Sequence, residues 1–137
     1  MVLRTEIEAY LRSLPAEVHL TPYGNINGRG SLVSEPPCPK EDYARTAELF
    51  DLSRITSAIV QIPDVFRKQN SYSQATSYGL KHVLEQRTGQ YITNGDFIAS
   101  MALSGFALKW PRDGESLAVN PVIRCKLIRC KSPVTCA

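Results

Sequence analysis

Apolar positions recur at three- and four-residue steps through Tyr72, Ala75, Thr76, Gly79, Leu80, Val83 and Leu84, the spacing of one stripe along a helix. Gly89 follows the last turn, where glycine adopts the left-handed conformation that closes a helix. Arg87 places a cation in that turn, where the helix dipole favours one. A second stripe runs through Phe97, Ile98, Met101, Ala102 and Gly105. Asn94 stands ahead of it and Asp96 falls in its first turn, which makes Asn94 the predicted N-cap. Asn94-Gly95 also suits a turn between strands, but Ile98 to Phe106 does not alternate as a strand would. The pattern predicts a helical hairpin at about 71–110, bridged by β-prone chain carrying Tyr91 and Ile92 and ended by Pro111.

The second helix is rich in small residues: Ala99, Ser100, Ala102, Ser104, Gly105 and Ala107. Neighbouring backbone can approach such a helix closely, so it is expected to be buried on more than one side, in the core or at a subunit contact. Gly105 inside the pattern costs about 1 kcal/mol relative to alanine, which close packing offsets. The facing stripes predict one cluster of Leu80, Leu84, Phe97, Ile98, Met101 and Phe106.

Elsewhere the pattern is weaker. Leu3, Ile7, Tyr10, Leu11 and Leu14 trace an amphipathic helix closed by Pro15. From 20 to 39, prolines, glycines and asparagines make a long irregular loop, of a length that is either functional or loosely ordered. Helical spacing returns after Pro39 with Tyr43, Ala47, Leu49 and Phe50, and again from Leu52 to Ile62, where Ser53 is a candidate cap. Ile59 to Ile62 reads equally well as a strand. Leu117 to Ile128 favours extended chain, because Val119, Val122 and Ile123 are branched and Pro121 interrupts a helix. Its basic residues change parity between Lys126 and Arg129, so holding them together requires a bulge or an unpaired arm.

The expected fold class is therefore mainly α. It is a small helical domain built on the hairpin, with a Pro/Gly-rich loop and an extended or β-prone basic C-terminal tail. A chain of 137 residues suits one domain, laid out as an N-terminal helix (1–15), the loop (20–39), a helical core (40–110) and the tail (111–137).

Charge and composition narrow the function only a little. The formal charge of +3 permits an anionic partner without demanding one. No run of eighteen apolar residues and no signal-like segment occurs, so a membrane span is not expected and an intracellular location is. Four cysteines, Cys38, Cys125, Cys130 and Cys136, read as free intracellular thiols. Their spacing does not match the close pairs of structural zinc, so no metal site is expected.

No cofactor or catalytic set is expected either. His82 and His19 lack a matched nucleophile in the sequence, and the acids are scattered in pairs that suit solvated faces. The run Gly24 to Ser31 lacks the Gly-Lys-Ser/Thr of a phosphate loop and reads as surface, with Arg29 left as an anion contact. A helix-turn-helix reading fails on the second helix, which offers Asp96, Ser100 and Ser104 to a groove and no cation before Lys109.

The expectation is a noncatalytic structural or interaction component of a larger assembly, a particle or ribonucleoprotein, that engages protein partners or copies of itself through loop and tail. The alternative is mostly sequence-independent nucleic-acid binding. A small enzyme is the third class. The candidate contacts are Arg124, Lys126, Arg129 and Lys131 in the tail, Lys81 and Arg87 on the hairpin, and Arg29 in the loop.

Overall fold

A computed structural model describes residues 1–33 and 35–129 of the chain. Among the described residues there are five helices: α1 (Arg4–Ser13), α2 (Tyr43–Ala47), α3 (Leu52–Gln61), α4 (Ser77–Thr88) and α5 (Asn94–Leu103). A 3-10 turn, Ile62–Asp64, extends α3. Eight short strands accompany them: β1 (Leu20–Thr21), β2 (Gly24–Asn25), β3 (Phe66–Lys68), β4 (Leu108–Lys109), β5 (Arg112–Asp113), β6 (Ser116–Leu117), β7 (Val122–Ile123) and β8 (Cys125–Leu127).

This corrects the mainly α expectation. The protein is 39% helical and 15% strand, a mixed α/β fold with several small antiparallel sheets. The sheets are the pairs β1–β2, β3–β8, β4–β7 and β5–β6. Among the described residues no strand exceeds three residues, so period-2 alternation has no length in which to register. The pairing of Phe66 with Leu127 also joins positions far apart in sequence.

The predicted hairpin is present with shifted limits. Gly89 closes α4 in the left-handed conformation, at φ 72°. α4 begins only at Ser77, so Tyr72 and Ala75 leave the helical stripe. Their segment runs beside the tail instead, where Ser73 N–H donates to the Ile123 carbonyl and Ser77 N–H to that of Pro121. Thr93, and not Asn94, caps α5, its Oγ1 accepting the Asp96 N–H at 3.2 Å. α5 stops at Leu103, well before Pro111, because Gly105 turns the chain at φ 89°. Gly105 is a terminator and not an interior glycine. The bridge holds no strand; Ile92 is buried and Tyr91 exposed. Asp51 rather than Ser53 caps α3, accepting the Arg54 N–H, and α3 remains helical through Gln61.

α5 is the centre of the packing, and every residue from Asn94 to Met101 is buried. On one side Ile98 and Ala99 pack with Ile7, Leu11, Phe50 and Ile55. On the other, Phe97 and Met101 pack with Leu80, Leu84, Phe66, Phe106 and Ile123. The single predicted cluster is thus divided by the helix, with Ile98 in the other half. A helix apolar around most of its circumference must be covered on several sides to bury that surface. Gly95 is the closest approach, since a Cβ there would overlap the Thr21 carbonyl of the β1–β2 hairpin.

That hairpin changes the picture of the 20–39 loop. Asn25 is fully buried; its Oδ1 accepts the His19 and Asn27 N–H groups, and its Nδ2 donates to the Ala118 carbonyl at 3.2 Å. Residues 20–28 are therefore pinned to the 117–119 segment, while Arg29 to Leu32 form a rim in which Arg29, Gly30 and Leu32 are exposed. Among the described residues, no helix is long and apolar enough to cross a membrane.

Candidate functional site

The segment 122–127 is one extended run bent at Arg124. Its first half pairs with β4 and its second with β3. Cys125 is buried between exposed Arg124 and Lys126, so alternation turns both cations outward. Arg67 stands directly opposite Lys126 in the register and is also exposed. Lys109 and Arg124 converge on the half-buried Tyr72 ring, at 5.8 and 4.8 Å from its centroid. Lys68 adds a cation at the border, 5.7 Å from the Phe106 ring centre.

Like charges directly opposite on antiparallel strands are destabilising. Among the described residues, none of Arg67, Lys68, Lys109, Arg124 and Lys126 is ion-paired. The result is a cationic ribbon along the 122–127 segment, with Arg67 opposite Lys126 and with Lys109 and Arg124 about the Tyr72 ring, while Lys68 stands opposite the buried Cys125. The two strand pairs are held by backbone bonds, including Arg124 N–H to Ala107 O at 2.9 Å and Ile128 N–H to Val65 O at 2.8 Å. The cations therefore have no need of one another for their placement.

A cleft of about 850 Å³ lies between the Arg29 to Leu32 rim, the start of α4 and the 118–120 segment. Lys81 forms its floor. The ammonium is 3.1 Å from Glu85 and sits 5.5 and 5.1 Å from the ring centres of Tyr78 and Tyr91. Glu85 also meets His82 Nδ1 at 2.9 Å and accepts the Ile92 N–H at 3.1 Å. Burial pushes the Glu85 carboxyl up, but the Ile92 N–H together with Lys81 and His82 outweighs it and holds the pKa below the ordinary value. Beside it Ser77 Oγ donates to Asn94 Oδ1 and Asn94 Nδ2 to Asn120 Oδ1, at 2.9 and 2.6 Å. Tyr23, Tyr78, Tyr91 and Leu32 stand exposed around the opening.

The structure separates the candidate contacts read from the sequence. Arg124 and Lys126 join the ribbon, and Arg129 is exposed just beyond it. Lys81 is buried in its ion pair, and Arg29 lines the cleft. Arg87 anchors the tail, donating to the Ile128 carbonyl at 2.6 Å. Lys131, with Cys130 and Cys136, lies outside the described residues. The residues missed were Arg67, Lys68, Lys109 and Tyr72. Nothing local in Val65-Phe66-Arg67-Lys68 signals its pairing with the tail, since like charges placed opposite one another oppose that pairing.

Cys38 and Cys125 are free, buried thiols, and burial pushes the Cys125 pKa up to about 11. Among the described residues, no group of three or more His, Cys, Asp or Glu is placed to hold a metal ion. Compared with protein-family models, curated proteins and solved structures, the chain matches none.

Proposed function

We propose that the protein is a noncatalytic binding component of a larger assembly, a particle or ribonucleoprotein, and that it contacts nucleic-acid phosphates through the cationic ribbon, with protein neighbours in the same particle. The observation that carries this reading is the placement of Arg67 against Lys126 beside Lys109 and Arg124. Opposed cations cost stability in the isolated chain, and a polyanion relieves that cost. Backbone phosphates supply regularly spaced negative charge, and contacts of this kind carry little sequence information.

Salt-dependent binding to a labelled oligonucleotide tests the proposal. Replacing Arg67, Lys109, Arg124 and Lys126 with Gln is expected to weaken binding and to flatten the slope of log affinity against log salt. The flattening should be about 0.7 log unit per lost contact on a single strand and about 0.9 on a duplex. An unchanged slope in a folded variant would reject the ribbon as the contact.

A further inference from the structure

We infer that the cleft beside the ribbon is a nucleobase site, so that the nucleic acid bound is single-stranded, with unpaired bases stacked on Tyr78 and Tyr91. The inference rests on the proposed ribbon contact and adds the class of strand. It begins from connectivity. Asn120 lines the cleft and Arg124 belongs to the ribbon, four residues along one segment. At about 3.3 Å per residue that is at most roughly 13 Å. A single strand covers this with about four stacked nucleotides at 3.4 Å each, or with fewer when extended. Thr76, which also lines the cleft, bridges to Val122, the register partner of Lys109, so a strand whose phosphates follow Lys126, Arg124 and Lys109 arrives beside the cleft.

The cleft has the chemistry of a stacking platform. Tyr78 and Tyr91 are 52% and 66% exposed although both flank a buried lysine. Their rings are held in place by the Lys81 ammonium, and Tyr78 also meets the His82 ring edge-on at 4.6 Å. Pre-positioned aromatic rings beside cations recognise bases without regard to sequence, because every base offers a π face. Arg29 supplies a further cation at the rim, and Asn120 an amide for a base edge. Glu85 is already neutralised by Lys81, leaving Asp113 as the acid that opposes a phosphate there. A duplex keeps its bases stacked inside and cannot offer them to these rings.

Fluorescence anisotropy with three probes separates the two claims: an oligothymidine of about 12 nucleotides, an abasic strand of equal length, and a duplex of equal length. The wild-type protein should bind the thymidine strand more tightly than either other probe. Tyr78→Leu with Tyr91→Leu should lower thymidine-strand affinity about tenfold or more, leave the abasic strand unaffected and keep the salt slope unchanged. Tyr78→Phe with Tyr91→Phe retains both rings and should restore binding, which separates stacking from any loss of fold. If the leucine variant, folded by circular dichroism, binds the thymidine strand as the wild type does, or if the duplex or abasic strand binds as tightly, the nucleobase site is overturned while the ribbon contact stands. If the four-Gln ribbon variant instead binds every probe normally, the ribbon reading fails. Absence of binding by the wild type overturns both.

Discussion

Asn94 Nδ2 donates to Asn120 Oδ1 at 2.6 Å, tying the first turn of α5 to the segment that leads into the tail. The cap of that helix is the neighbouring Thr93, so the two residues have different tasks. Thr93→Ala should cost about 1 kcal/mol through loss of the cap. Asn94→Ala should cost roughly 1–3 kcal/mol, because Ser77 and Asn120 lose their partner in a region that is at most half exposed. Urea denaturation of both variants compares them, and a loss confined to Thr93→Ala would contradict this division.

Glu85 holds three groups at once: Lys81, His82 and the Ile92 N–H. The Lys81 side chain is only 6% exposed, so Glu85→Ala leaves a buried cation unpaired. The expected loss is roughly 3 kcal/mol or more. The melting temperature checks this; a fall of less than a few degrees would indicate that Lys81 finds water instead.

Phe97 is fully buried and meets the Phe66 ring edge-on at a centroid distance of 5.9 Å. Phe97→Ala should cost about 3–5 kcal/mol. Ile98→Val, in the other core cluster, should cost about 0.5–1.5 kcal/mol. Equal melting temperatures for Phe97→Ala and the wild type would reject this packing.

Burial raises the Asp96 pKa from 3.8 to about 6, the bonds from Thr93 and from the Asp51 N–H offsetting only part of the cost. A carboxyl with a raised folded-state pKa holds its proton longer in the native state. Its ionisation therefore removes stability as pH climbs from about 4 to above 6, by roughly 3 kcal/mol across that window. Asp96→Asn keeps a neutral side chain there. Its stability relative to the wild type should rise through the same pH interval and be flat below it. Chemical denaturation at pH 3.5, 5 and 7 checks this, and a difference independent of pH would reject an ionisable buried Asp96.

The helices were legible where long stripes coincided with punctuation: Leu80 and Leu84 before Gly89, Phe97 and Met101 after a capping residue. Asn94 was mistaken for the cap because Thr93 and Asn94 are both good caps, and only the tertiary bonds of Asn94 distinguish them. The strands were hidden for a different reason. Two- and three-residue strands carry almost no local pattern, and what stabilises Phe66–Lys68 is the arrival of Cys125–Leu127. The candidate site inherits the same difficulty. Arg124 and Lys126 were visible as basic residues in β-prone chain, whereas their grouping with Arg67 and Lys109 depends on register. The cleft was less legible still, since Tyr78, Tyr91, Leu32 and Asn120 come together only after the loop and tail have docked.

The pinning of Asn25 to Ala118 spans 93 positions, and Gly28 is packed so closely on Val119 that a Cβ would lie 2.6 Å from its nitrogen. Contacts of such separation form late, because the intervening chain must be ordered first. During synthesis the early hairpin therefore waits, without its partner, until the 117–119 segment has been made. Amide protection at Asn25 and Ile26 should accordingly appear only once Val119 is available. The cleft, lined by Arg29 to Leu32 on one side and Ala118 to Asn120 on the other, therefore exists only after these distant segments have met, so a ligand of the cleft can select only chains in which they have docked.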